Sequence, residues 1–406
     1  MSEKQITSAP HGHVLTNAGV WSRDGARLVY DVRSARDGSL FDGARIETID
    51  IHTGEIAVLY ESKNDACCGV ASFSPVQDRV VFILGPERPT VSWQYGMARR
   101  RGAMVNEDQP GIAINLDARN LVPPFTPGAL RGGTHLHLFS PDGRIVVSTY
   151  HDVLLPPSQD HRNICVSVLH HPVTVPRLHA RNQSGTAFSV LVTRTTSTPS
   201  PGSDEIIRAS EEAWLGREGN RIAFQGTVLT ESGRQCAEVF VVDLPADLTI
   251  PGDGPLEGTL TERPAPPKGT VQRRITFTEK GLSGPRHWLR ASPDGSQIGF
   301  LKKDDAGVVQ FWTVPSSGGE SRQITRFASV GVGSAFTWSA DGECVAMVVG
   351  GAVGVVNVND GAWRELAAAG ASPVRPEACV FSPDGRRIAY VRQCVPFNQI
   401  FVVDVE

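Results

Sequence analysis

The amino-acid sequence predicts an all-β fold, a seven-bladed β-propeller forming a single domain over residues 1–406 and closed by its own N-terminal strand. Three observations predict it. One short phrase, an apolar residue followed by a polar turn ending near Asp-Gly and then alternating apolar residues, occurs seven times. Its most tightly spaced copies lie 47 and 43 residues apart, the length of one four-stranded blade. A second phrase, Arg273-Arg274-Ile275-Thr276 and Arg322-Gln323-Ile324-Thr325, precedes two blade starts and recurs as Lys4-Gln5-Ile6-Thr7, whereas the chain ends on an inner strand, Gln399-Ile400-Phe401-Val402-Val403-Asp404.

In chain order the corners are Trp21-Ser22-Arg23-Asp24-Gly25, Phe73-Ser74-Pro75 leading through Asp78, and Phe139-Ser140-Pro141-Asp142-Gly143. A degenerate copy, Trp214-Leu215-Gly216, follows. The last three are Ala291-Ser292-Pro293-Asp294-Gly295, Trp338-Ser339-Ala340-Asp341-Gly342 and Phe381-Ser382-Pro383-Asp384-Gly385. Pro sets φ at the second turn position, Asp bonds the turn through its own side chain and Gly accepts positive φ, so each corner joins two antiparallel strands. The missing outer strand of the last blade is expected from residues 4–7, since a ring leaves only short protected edges. The long insertions, residues 93–132 and 153–212, are expected to cover one channel mouth as a partial lid.

Composition agrees with a turn-rich all-β chain: 40% hydrophobic residues, 41 Gly and 28 Pro. A net charge of −4 gives no footprint for nucleic acid, and Arg99-Arg100-Arg101 reads as a solvated loop. The longest apolar run, Cys344 to Val358, is too short and Gly-rich to cross a membrane. With no apolar leader after Met1 and seven cysteines at no metal-ligand spacing, the expected compartment is the cytoplasm. The sequence has no G-x-S-x-G elbow and no length left for an α/β-hydrolase domain, which argues against a prolyl-oligopeptidase-like hydrolase. It has neither a P-loop nor a G-x-G-x-x-G after a strand, which argues against nucleotide chemistry.

The candidate chemistry lies just before the corners, where each innermost strand begins at one mouth of the channel. Four positions before the turn stand Asn17, Gly69, His135, Glu211, His287, Ser334 and Glu377, with Glu211 and Glu212 interchangeable in the degenerate fourth copy. His137 is two residues beyond His135, on the same face of a regular strand, and the returning strand brings His151 to the same mouth. These residues read as a metal or polar ligand site of His135, His137 and His287 with Glu211 or Glu377. His170, His171 and His179 read as surface residues of an insertion. The alternative is a rigid interaction platform for a protein or peptide partner, which the fold alone favours equally.

The W/F-S-P-D-G corners and R-x-I-T strands resemble the TolB-like β-propellers over essentially all of the chain. Within that group, Asp117-Ala118-Arg119-Asn120 through Pro123-Pro124-Phe125-Thr126-Pro127-Gly128 and Arg131-Gly132-Gly133-Thr134-His135, with Pro201-Gly202-Ser203-Asp204-Glu205, resembles a bacterial family of unknown function. The His-x-His before a corner is similar to that of oligogalacturonate lyases, seven-bladed propellers with a central Mn²⁺ on His and Gln. That resemblance implies a divalent metal (Mn, Zn or Ca), an oligosaccharide or other small carboxylated sugar as substrate, and β-elimination. It further implies His151 as the base and Arg131 or Arg286 as the group that holds a carboxylate. The Gln ligand has no clear equivalent, Gln399 and Gln225 being the candidates, which leaves metal and substrate open.

Overall fold

The computed structural model describes residues 3–36, 39–156, 162–285, 289–377 and 379–405. Among them, seven antiparallel four-stranded sheets form the ring. Blade 1 comprises Gly12–Val14, Arg27–Arg33, Arg45–Asp50 and Ile56–Glu61; blade 2, Cys68–Phe73, Arg79–Leu84, Arg101–Asn106 and Ile114–Asn115; blade 3, Gly132–Phe139, Ile145–Asp152, Asn163–Val173 and Gly185–Leu191. Blade 4 comprises Arg208–Trp214, Arg221–Leu229, Gln235–Asp243 and Val271–Arg274; blade 5, Leu289–Ala291, Gln297–Lys303, Val309–Pro315 and Arg322–Gln323; blade 6, Thr337–Trp338, Cys344–Val349, Ala352–Asn357 and Trp363–Ala367. Blade 7 holds Val380–Phe381, Arg387–Arg392 and Gln399–Asp404, and its fourth strand is Glu3–Gln5 from the other end of the chain.

The closure follows the expected register. Glu3 faces Val403 and Gln5 faces Phe401, and the pairing continues as Ile6 donates to the Ile400 carbonyl at 2.8 Å. Thr7 Oγ1 then donates to Gln399 Oε1 at 2.8 Å. The Glu3 carboxylate accepts from Arg392 Nε at 2.5 Å and from the Tyr390 hydroxyl. One apolar cluster runs through Leu15, Tyr30, Val355, Ile388 and Ile400, joining blades 6, 7 and 1 across the seam.

Each full corner is a small hydrogen-bonded box. Ser22 donates to Asp24 at 2.5 Å and accepts from the Arg27 N–H at 2.9 Å, and Ser140, Ser292, Ser339 and Ser382 repeat the arrangement. The closing glycines lie at φ between 68° and 76° (Gly25, Gly143, Gly295, Gly342 and Gly385), where a side chain would be strained. The corner tryptophans also tie blades together. Trp21 Nε1 donates to Val380 O at 2.9 Å, Trp214 to Leu138 O at 3.2 Å and Trp338 to Arg290 O at 3.2 Å.

The lid expectation holds for only part of the two insertions. Residues 101–132 supply blade 2 strands and a small parallel pair, Ala118–Arg119 with Ala129–Leu130, and residues 163–191 form the outer half of blade 3. Tyr95 and Arg100 do reach the channel, where Tyr95 stacks on Phe41 of a blade 1 insertion with ring centroids 4.6 Å apart.

Candidate functional site

A cavity of about 270 Å³ opens at the mouth where the innermost strands begin. Asn17, His135 and Glu377, three of the positions singled out four residues before a corner, line it together with Asp31, Arg33, Tyr95, Arg100 and Arg375. Three guanidinium groups thus face two carboxylates. Arg33 Nε donates to Asp31 at 2.7 Å, and Arg375 Nη2 donates to Glu377 Oε1 at 3.0 Å. Arg100 Nη1 donates to the Tyr95 hydroxyl at 3.1 Å. Burial, and then the charges of Arg100 and Arg162, hold His135 well below the ordinary imidazole range, so it is neutral at physiological pH. Among the described residues its Nδ1 has no hydrogen-bond partner.

His135 and His137 do not converge. The innermost strand bulges between His135 and Leu138, with Leu136 at φ 59°, so the regular two-residue alternation is lost. His135 and Leu136 line the cavity, whereas His137 turns between blades 2 and 3. There its Nε2 meets Thr134 Oγ1 at 3.0 Å, and Thr134 Oγ1 donates to Asp117 at 3.1 Å. Gly102 makes room for this ring: a Cβ at that position would lie 2.8 Å from both His137 Nε2 and Asp117 Oδ1. Burial, with Arg100 second, pulls the His137 pKa down to about 3.

The same bulge recurs in blades 2 and 4, with Val70 at φ 57° and Glu211 at φ 60°. Because Trp214, pairing with Ile222, is the corner residue of blade 4, Glu211 shares the register of Leu136 and Glu212 that of His137. Glu211 is therefore not at the level of His135. Glu212 is fully buried, accepts from Thr149 Oγ1 at 2.8 Å and is pushed by burial up to about 7.

The remaining expected site residues separate as well. The His151 ring packs edge-on against His135, centroids 6.2 Å apart, and does not line the cavity. Arg131 is buried and engaged, donating through Nε to Asp152 at 2.8 Å and through Nη1 to the Thr259 carbonyl, so it is a structural tie between blade 3 and the 244–270 insertion. Arg286 and His287 lie outside the described residues. Among the described residues no three His, Cys, Asp or Glu side chains are placed to share a metal ion. His135, His137, Glu211 and Glu377 therefore do not form the expected ligand set.

Sequence reasoning missed the arginines. Arg100, read as part of a solvated loop, is only 7% exposed. Arg119 holds it there: its guanidinium donates to the carbonyls of Gly132 (3.1 Å), Arg99 (3.2 Å) and Arg100, pinning the 97–100 segment onto blade 3. Gly133 permits that approach, since a Cβ would stand 2.4 Å from the Met97 carbonyl oxygen. Asp31 and Arg33 share one face of a blade 1 strand, and that spacing was the available signal.

A family model described as "Protein of unknown function (DUF3748)" matches residues 67–183, which contain Arg100, Asp117, Arg119, His135 and His137. YidR, an uncharacterized protein of Escherichia coli (strain K12), is 44% identical over 399 residues, covering 96% of this chain and 94% of that protein. Among solved structures, an oligogalacturonate lyase in complex with manganese superimposes with a TM-score of 0.62 at 12% identity, over 99% of this chain and 92% of that one. The oligogalacturonate lyase from Vibrio parahaemolyticus gives 0.62 at 9% identity, over 99% and 93%. Those likenesses show a shared propeller fold. The identity to YidR across nearly the whole length of both chains places this seven-bladed propeller, with its DUF3748 match over residues 67–183, in the YidR family.

Proposed function

We propose that the axial cavity binds a carboxylated sugar and that the chain is a lyase performing β-elimination on a uronate. The observation that carries this reading is the meeting of a neutral imidazole, His135, with the guanidiniums of Arg33, Arg100 and Arg375 around one small cavity. Superposition on two oligogalacturonate lyases at a TM-score of 0.62 supports it. The arginines would receive the uronate carboxylate and stabilise the negative charge that spreads onto it as the neighbouring C5–H bond ionises. His135 would take the C5 proton; the electron pair forms the C4=C5 bond, the C4–O bond breaks, and the departing oxygen takes a proton from water. His151, edge-on to His135, fixes the orientation of the base rather than acting as the base itself.

Manganese is part of one of those lyase structures, so a divalent metal is the cofactor that the likeness implies. The described residues do not fit one, for His137 is turned away to Thr134 and no three ligands converge. No step above is routed through a metal. The test is direct. Purified protein incubated with oligogalacturonate should generate the ultraviolet absorbance of a conjugated unsaturated uronate, and His135→Gln should lower kcat by roughly 100-fold or more. If neither oligogalacturonate nor other uronates yield that absorbance, with or without added Mn²⁺, the lyase reading fails and the cavity is that of a binding protein.

A further inference from the structure

The opposite mouth of the channel carries a second, chemically different site. The seven corner positions form a ring there: Trp21, Phe73, Phe139, Trp214, Ala291, Trp338 and Phe381. Six are aromatic and one, in blade 5, is Ala291. The position before each corner is Val20, Ser72, Leu138, Ala213, Arg290, Thr337 and Val380, so the one charge in that ring also belongs to blade 5. Both departures fall side by side, a ring-sized gap next to a guanidinium.

The structure turns this coincidence into a cavity. A funnel of about 460 Å³ is lined by Trp21, Phe73, Phe139, Trp214 and Phe381, with Arg290 at its depth and Arg23 at its rim, and no carboxylate lines it among the described residues. Arg290 is 7% exposed, donates through Nη1 to the Leu289 carbonyl at 2.6 Å, and among the described residues has no hydrogen-bond partner at Nε or Nη2. Glu211 and Glu212 act on it electrostatically from the channel side, but neither is among its ion-pair partners within the described residues. Burial lowers its pKa only to about 10, so the cation persists at neutral pH with two buried donors unused. An unpartnered buried donor carries a desolvation penalty that an anion would relieve.

We propose that this funnel is a binding site for a small monocarboxylate with an aromatic body, its carboxylate on Arg290 and its ring in the space left by Ala291, against the walls of Trp21 and Trp214. The charge of the site and its apolar lining call for both halves of such a ligand, and the site is separate from the axial cavity at the other mouth.

Phenylacetate is the probe, phenylacetamide its neutral counterpart, and intrinsic tryptophan fluorescence the readout, because Trp21 and Trp214 line the funnel. Phenylacetate should give a saturable change and the amide should bind at least tenfold more weakly. Arg290→Met should weaken binding at least tenfold. Ala291→Phe should do the same with an unchanged circular dichroism spectrum, since it restores the aromatic present in the other six blades. Arg100→Gln, at the opposite mouth, should leave the affinity as it was. Equal binding of acid and amide, undiminished binding by folded Ala291→Phe, or loss in Arg100→Gln but not in Arg290→Met would overturn the assignment. Absence of binding at millimolar phenylacetate would overturn it too, and so would binding only of a peptide ending in a free C-terminal Phe, which would make the site a receptor for a polypeptide tail.

Discussion

His135 and His137 stand two residues apart yet occupy different chemical worlds, one facing the axial cavity and the other locked to Thr134 between two blades. Their variants should therefore diverge: His135→Gln lowers turnover and leaves thermal stability nearly unchanged, while His137→Ala lowers the melting temperature by several degrees because it vacates a filled, hydrogen-bonded niche. Since His135 is held well below the ordinary value of 6.5, lowering the pH through 6.5 should not protonate it, and kcat should stay level there; a half-maximal loss near pH 6.5 would count against it as the base. Glu212 supplies a stability test. Its carboxyl is raised from 4.5 to about 7, so between those values the folded state holds a proton that the unfolded state has released, and stability is lost as pH rises through 7. Glu212→Gln removes that dependence: the stability of the variant relative to wild type should improve by about 2 kcal/mol from pH 5 to pH 8 in urea titrations. An unchanged difference would show that Glu212 is not held protonated.

At the scale of elements, corners were legible in the sequence and bulges were not. Ser-Pro-Asp-Gly is local chemistry, every hydrogen bond of the box closing within six residues, so Ser22, Ser140 and Ser382 report their turns without reference to the rest of the chain. The bulges at Val70, Leu136 and Glu211 place ordinary side chains at positive φ, which no composition marks, and each shifts the face on which later residues fall. For that reason Asn17, His135 and Glu377 line one cavity, whereas His137 and Glu211 were assigned to the same level by an alternation that the strand does not keep. Arg100 escaped notice for another reason: its burial depends on Arg119, nineteen residues away, grasping three carbonyls. Arg119→Met should release the 97–100 segment, reducing kcat/KM tenfold or more and raising amide hydrogen exchange in that segment, with exchange in the corners of blades 5 and 6 unaffected. Equal exchange in variant and wild type would mean the segment holds itself.

For the molecule as a whole, the repeat spacing and the displaced Lys4-Gln5-Ile6-Thr7 phrase made the ring and its closure readable, because a propeller repeats one local unit and needs only one long-range pairing to close. The arginine constellation was unreadable, since Arg33, Arg100 and Arg375 come from three blades and meet only after closure. Deleting residues 1–8 removes the outer strand of blade 7 and takes the Glu3 carboxylate from Arg392, a side chain 5% exposed. The truncated chain should lose on the order of 3 kcal/mol of stability in denaturant titrations, and a loss below about 0.5 kcal/mol would show that the ring does not depend on this seam. Closure also sets the axial cavity, since Asn17 lies just past the first strand of blade 1 and Glu377 just before that of blade 7, on either side of the seam. A crystal structure of the full chain soaked with galacturonate examines the central claim most directly. The sugar carboxylate should lie within hydrogen-bond distance of Arg33, Arg100 or Arg375, with its C5 facing His135; galacturonate bound elsewhere with the axial cavity holding only water would contradict it.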